Sequence, residues 1–139
     1  MIAAGLLLDT GPLVAMLDPR QEGYQACRAV YEKWNEPFIT TEAVITEATH
    51  LLNRLPGGSI TCLEFIRDRK MAVMPISGEA LTKVITLMKK YHDIPMDYAD
   101  ATLVTLAEEL ETNQIFTLDR RGFSAYRMHG RTPFHILPN

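Results

Sequence analysis

Four carboxylates occupy positions from which one chain could gather them: Asp9, Glu47, Asp100 and Asp119. Asp9 directly follows Leu6-Leu7-Leu8, and Asp119 ends the apolar segment Gln114–Leu118. Asp100 falls in the first turn of a helix opening at Asp97, and Glu47 lies mid-helix at the margin of an apolar stripe. Each has a bland reading of its own. Asp9 and Asp119 precede helical turns and could be N-caps, Asp97 and Asp100 suit the positive end of a helix dipole, and Glu47 could face solvent. Together they ask for more. Four anions from distant segments, with no lysine among them, would repel strongly in a cleft of low dielectric, and without metal that repulsion should raise their pKa values. A hard divalent cation resolves the conflict, and an all-oxygen ligand set selects Mg²⁺ or Mn²⁺ over Zn²⁺. The matching chemistry is hydrolysis of a phosphodiester, in which the ion activates water, neutralises the scissile phosphate and stabilises the leaving oxygen.

The elements that must position these acids are legible in the periodicity. Leu6-Leu7-Leu8 reads as a strand buried on both faces, and Asp9-Thr10-Gly11-Pro12 puts a proline in the first turn of the next helix. Tyr24, Cys27, Val30, Tyr31 and Trp34 give helical spacing over 20–34; Glu36-Pro37 breaks it ahead of the β-rich Phe38-Ile39-Thr40. Val44, Ile45, Ala48, Leu51, Leu52 and Leu55 form one stripe of a helix over about 41–55, ended by Pro56-Gly57-Gly58. Ser59 is expected to cap a helix reaching Lys70. Ala72–Ile76 reads as a strand whose Pro75 sets it near an edge or an end. Ser77 is expected to cap a helix carrying Leu81, Val84, Ile85, Met88 and Tyr91. Asp97 opens the next, with Ala99, Leu103, Leu106, Ala107 and Leu110 on one face. Gln114–Leu118 and Phe134–Leu137 are the remaining strands. Strands separated by helices pair in parallel, with helices on both faces, so the fold class is α/β, a three-layer α/β/α sandwich. Ligands of such sheets bind beyond the carboxyl ends of the strands, where Asp9 and Asp119 both stand.

Bulk properties narrow the setting. A chain of 139 residues, 47% hydrophobic and 22% charged, suits one globular domain over 1–139. Cys27 and Cys62 both fall in helical patterns and suggest no disulfide framework, which points to a reducing compartment. The apolar run Met1–Leu8 has no basic flank and is far too short to span a bilayer, so a soluble cytoplasmic protein is expected. Net charge is −3, but residues 120–139 hold Arg120, Arg121, Arg127 and Arg131 and no acid. That segment is locally +4, leaving −7 on the rest. It is either a solvated face or a surface for phosphates.

The ordered set Leu8-Asp9-Thr10-Gly11, Ile45-Thr46-Glu47-Ala48, Tyr98-Ala99-Asp100-Ala101 and Phe116-Thr117-Leu118-Asp119-Arg120 resembles the PIN domain family, and within it the VapC-type toxin ribonucleases. The resemblance runs over nearly the whole chain. It implies a parallel sheet of about five strands and a Mg²⁺- or Mn²⁺-dependent endoribonuclease, the toxin of a type II toxin–antitoxin pair. It also implies an RNA substrate, a homodimer and a cognate antitoxin that inserts residues near the active site. By the family pattern Asp9, Glu47, Asp100 and Asp119 are metal ligands or orient water on the metal. Thr10 and Thr117 look like the hydroxyls that hold those carboxylates or the substrate phosphate. Arg120 and Arg121 are expected to bind substrate phosphates. Asp97 matches no family position and is read as a helix cap.

Other chemistries fit less well. Glu47-x-x-His50 has di-iron ligand spacing, but no second such pair exists. His92, His129 and His135 lack ligand spacing, and no Cys-x-x-Cys occurs, which disfavours zinc. An aspartyl-phosphate phosphatase would place a second aspartate two residues after Asp9, where Gly11 stands. No P-loop or glycine-rich nucleotide fingerprint is present. Two alternatives stay open: a PIN-like module that binds metal, RNA or a partner without turnover, and an RNA-processing nuclease without an antitoxin.

Overall fold

The computed structural model describes residues 5–139; Met1–Ala4, the first half of the apolar run read above, lie outside them. The elements follow in the order β1 (Leu6–Leu8), α1 (Thr10–Leu17), α2 (Tyr24–Lys33), β2 (Phe38–Thr41), α3 (Glu42–Leu52), α4 (Gly58–Asp68) and β3 (Ala72–Met74). Then come α5 (Leu81–Lys90), α6 (Tyr98–Leu110), β4 (Gln114–Phe116), α7 (Arg120–Phe123), β5 (Arg127–Met128), β6 (Thr132–Pro133) and β7 (His135–Leu137). Five strands form one parallel sheet in the order β3-β2-β1-β4-β7. The result is the three-layer α/β/α sandwich the sequence implies.

The centre of the sheet explains the leucine run. Successive strand residues point to opposite faces, and Leu6, Leu7 and Leu8 are all fully buried, so helices cover both faces of β1. Leu7 pairs with Ile39 on one side and Ile115 on the other, all within one apolar core. The chain leaves β1 toward β2 and β3 on one flank, while β4 and β7 lie on the other. The strand order therefore reverses between β1 and β4, and a crevice opens there at the carboxyl ends of the strands. Both of these strands run directly into an acid-bearing segment. Thr40 of β2 steadies this end of the sheet, its hydroxyl donating to the Leu8 carbonyl at 2.8 Å.

Several boundaries differ from the periodicity, each for a local reason. Strand β3 stops at Met74, ahead of Pro75, which has no N–H for a ladder. Helix α3 ends at Leu52, and Leu55 closes a turn on the Leu52 carbonyl instead of extending the stripe. Ser59 does not cap α4. Gly57, at φ 66°, takes that position without a side-chain bond, and the Ser59 hydroxyl bonds the Thr49 carbonyl and Asn53 at 2.9 Å each. Ser77 does accept from the Ala80 N–H at 3.2 Å, but it caps a turn ahead of α5. The basic segment folds rather than trailing: α7, the antiparallel pair β5–β6 and the edge strand β7 are all built from it. Among the described residues no helix is long and apolar enough to cross a membrane.

Candidate active site

Four segments deliver the acids to the crevice. Asp9 still belongs to the sheet, its N–H donating to the Phe116 carbonyl at 2.9 Å, and it caps α1 through Thr10 N at 2.8 Å. Asp119 follows β4 by three residues and caps the short α7, accepting from Gly122 N at 3.0 Å. Asp97 caps α6 by accepting from Asp100 N at 2.9 Å, while the Asp100 carboxylate accepts from Asp97 N at 3.2 Å. This reciprocal box fixes both side chains on the first turn of α6. Glu47 comes from the exposed side of α3. Asp9, Glu47, Asp97, Asp100 and Asp119 all line one cleft of about 480 Å³, with Leu51, Pro95 and Leu118 among the apolar residues beside them. Capping and convergence hold at once: Asp9, Asp97 and Asp119 cap helices and also line this cleft.

Two threonines wire the cluster together. The Thr10 hydroxyl donates to Glu47 Oε1 at 2.7 Å, and its backbone N–H holds Asp9. The Thr117 hydroxyl donates to Asp9 Oδ2 at 2.7 Å and accepts from Asp119 N at 2.9 Å. Of the two roles open to Thr10 and Thr117 by resemblance, the geometry shows the carboxylate-holding one. Arg120 and Arg121 are exposed on α7 just beyond Asp119, outside the lining of the cleft, and Arg120 donates to the Pro138 carbonyl at 3.0 Å.

Electrostatically the cleft is one-sided. No Lys, Arg or His of the described residues lines it, and none forms an ion pair with Asp9, Glu47, Asp100 or Asp119. Asp18 offers the contrast. It is also buried, but Arg54 reaches it at 2.7 Å, and hydrogen bonds led by the Arg20 N–H hold its carboxyl well below the usual range. Asp9, only 7% exposed, has no such partner, and burial lifts its pKa to about 6. The Thr117 hydroxyl and the Thr10 N–H pull it down, and Asp119 and Glu47 push it up. Asp100 is raised further, by burial first and then by Asp97 and Asp9. Mutual repulsion, the cause expected from sequence, is thus the lesser one; removal from water is the greater.

Sequence reasoning missed Tyr126 and Gly122. Tyr126 is fully buried, and its phenol donates to Asp100 Oδ2 at 3.4 Å. Burial and the neighbouring Asp100 and Asp119 push its pKa far above the ordinary range, so it stays a donor. The available signal was spacing: Asp119, Gly122, Phe123 and Tyr126 recur at i, i+3, i+4 and i+7, one face of a helical turn.

The donor set fits a hard divalent ion. Asp9, buried, and Asp100, half-buried, have raised proton affinity and no cationic partner, and a hard divalent ion satisfies such carboxylates. No three His, Cys, Asp or Glu side chains of the described residues stand together as a ready-made ligand cage.

The PIN domain family model matches residues 6–127. The chain belongs to the PIN domain family. This PIN domain is 25% identical over 135 residues to Ribonuclease VapC26 of Mycobacterium tuberculosis, spanning 96% of this chain and all of that one. Among solved structures it is similar to M. tuberculosis VapC20, a sarcin–ricin loop cleaving toxin, with TM-score 0.76 and 14% identity over 87% of this chain and 95% of that one. It is also similar to VapBC2 of Rickettsia felis bound to a promoter DNA fragment, with TM-score 0.68 and 12% identity over 95% and 98% of the two chains. A toxin–antitoxin complex from Klebsiella pneumoniae matches at TM-score 0.65 and 13% identity over 86% and 91%. At these identities the structures establish the PIN fold.

Proposed function

We propose that this PIN domain is a Mg²⁺- or Mn²⁺-dependent endoribonuclease acting as the toxin of a type II toxin–antitoxin pair. The observation that carries the chemistry is the convergence of Asp9, Glu47, Asp100 and Asp119 on one cleft without a cationic side chain. The relative named as a ribonuclease, aligned from end to end, supports the reaction class, and the toxin–antitoxin complexes among its structural relatives support a cognate antitoxin. Homodimer formation and a cytoplasmic location complete the proposal; buried, free Cys27 and Cys62 suit a reducing compartment.

In this reading Asp9, Asp100, Asp119 and Glu47 hold the cation, directly or through water. The ion supplies activation of water and neutralisation of phosphate charge. The chain's own groups do the rest. Thr10 and Thr117 fix the carboxylates so that their charge faces the cleft, and Asp97 locks Asp100 on α6. An acidic cleft repels RNA, so attraction must come from outside it, and Arg120 and Arg121 supply exposed positive charge next to Asp119. The test is incubation of the purified protein with total RNA in Mn²⁺ or EDTA, followed by mapping of new ends. Discrete ends that appear only with metal support the proposal; RNA binding without new ends would make the domain a non-catalytic module.

A further inference from the structure

We infer that Tyr126 is a positioning residue for Asp100: its enclosed phenol holds one carboxylate oxygen and leaves the other to the cation. The inference rests on the reading of the cleft as a divalent-metal site. Its geometry begins with the ring. Tyr126 is fully buried, packed edge-on against Tyr91 and Phe123 with ring centroids 5.0 Å away in each case. A ring so enclosed cannot swing its hydroxyl to solvent, and a buried phenol needs a partner. Among the described residues Asp100 is the one it has, through a long bond of 3.4 Å to Oδ2. The same Oδ2 accepts from Asp97 N at 3.2 Å, whereas Oδ1 accepts from no donor of the described residues. Two donors on one oxygen fix the rotamer and hand Oδ1 to the cleft. Bonds of this kind are often long before a site is loaded and shorten afterward.

Gly122 makes the approach possible. A Cβ at this position would stand 2.5 Å from Asp119 Oδ2 and 2.9 Å from the Tyr126 hydroxyl. Any side chain would force the carboxylate and the phenol away from that corner. Gly122 also gives its N–H to Asp119 Oδ1 at 3.0 Å. The turn after β4 thus brings Asp119 and Tyr126 into one corner, and Tyr126 links that corner to Asp100 on α6. Were Tyr126 only a core aromatic, phenylalanine would serve equally well.

The test is Mn²⁺ affinity by calorimetry on the full chain, for wild type, Tyr126→Phe, Asp100→Asn and the double variant, with melting in EDTA as the control for folding. Tyr126→Phe should fold and bind Mn²⁺ roughly 10–100-fold more weakly, the usual cost of losing a group that orients a ligand. In the Asp100→Asn background the same change should cost less than about threefold, because the group it orients is gone. Wild-type affinity in Tyr126→Phe, or an equal loss in both backgrounds, overturns the inference and leaves the metal site standing. Failure of the wild type to bind Mn²⁺ overturns both. If Tyr126→Phe does not fold, 19F NMR of 3-fluorotyrosine-labelled protein on adding Mg²⁺ reads the same contact, the Tyr126 resonance being the one that Tyr→Phe changes at Tyr24, Tyr31, Tyr91 and Tyr98 leave in place. A shift of that resonance supports the inference, and an unmoved resonance overturns it.

Discussion

Replacing Asp9 with asparagine should make the metal-free protein more stable above pH 6. Asp9 has a pKa of about 6 in the fold against 3.8 for an unperturbed aspartate. A carboxyl raised in this way binds a proton more tightly folded than unfolded, so its ionisation opposes folding. The penalty is absent below about pH 4, grows between pH 4 and 6, and is complete above that, where it amounts to about 3 kcal/mol. Asparagine removes the charge and can keep both contacts, accepting from the Thr10 N–H and donating to the Thr117 hydroxyl, which now hold the carboxylate. Allowing for imperfect replacement, a net gain of about 2 kcal/mol would raise the melting temperature by roughly 6 °C in a chain of this size. The assay is thermal melting in EDTA at pH 4 and pH 7.5, then at pH 7.5 with Mn²⁺. Asp9→Asn should melt slightly below wild type at pH 4, where only the imperfect replacement of its contacts shows, and exceed it at pH 7.5. Mn²⁺ should reverse the order, since a ligand at a hundredfold excess over Kd stabilises the wild type by about 2.7 kcal/mol and the variant far less. A variant that melts lower than wild type by the same margin at both pH values, with wild type indifferent to Mn²⁺, would make Asp9 a structural cap and nothing more.

Other perturbations test the neighbouring claims. Thr117→Val deprives Asp9 Oδ2 of its donor; metal affinity by calorimetry should fall about 10–100-fold, and denaturant melts in EDTA should show a loss of about 1–3 kcal/mol. Arg120→Gln with Arg121→Gln should weaken RNA binding and flatten the plot of log affinity against log salt by about 0.7 for each phosphate no longer neutralised; an unchanged slope assigns these arginines to a solvated face. Leu7→Ala, at the fully buried centre of β1, should cost about 2–5 kcal/mol in urea unfolding, without a change in metal specificity.

What the sequence disclosed follows from which forces are local. The leucine run of β1 and the apolar segment of β4 announced buried strands because a strand covered on both faces has no polar side to alternate with. Once those strands are parallel, Asp9 and Asp119 must share the carboxyl end of the sheet, and Asp100 is marked by its place in a helix's first turn. The pair β5–β6 was illegible: two-residue strands are too short to show alternation. Its turn uses His129 and Gly130 at φ 55° and 70°, and histidine at the first site hides the usual Asn-Gly signal. His129 is held there by Glu108, which accepts from its N–H at 2.7 Å, a contact across 21 residues that no local pattern carries. Tyr126 is hidden in the sequence because it sits among arginines that dominate the segment's charge. Its contact depends on an enclosed corner that forms only when the turn after α7 packs against the first turn of α6. The cause of the raised Asp9 pKa was hidden for the same reason, since burial is a property of packing rather than of spacing.

If the acids gathered in the cleft carry out metal-dependent cleavage of RNA, the charge of each must matter to the rate. The most direct measurement is single-turnover cleavage of one RNA with mapped ends, in Mn²⁺, by wild type and by Asp100→Asn, each with a cooperative melt showing that it is folded. Removing one ligand's charge while keeping its shape should lower the rate by more than about a hundredfold, or roughly 2.7 kcal/mol of barrier, and EDTA should abolish wild-type cleavage. An Asp100→Asn rate within about tenfold of wild type, or wild-type cleavage that persists in EDTA, would mean that this cleft is not a metal-dependent nuclease site.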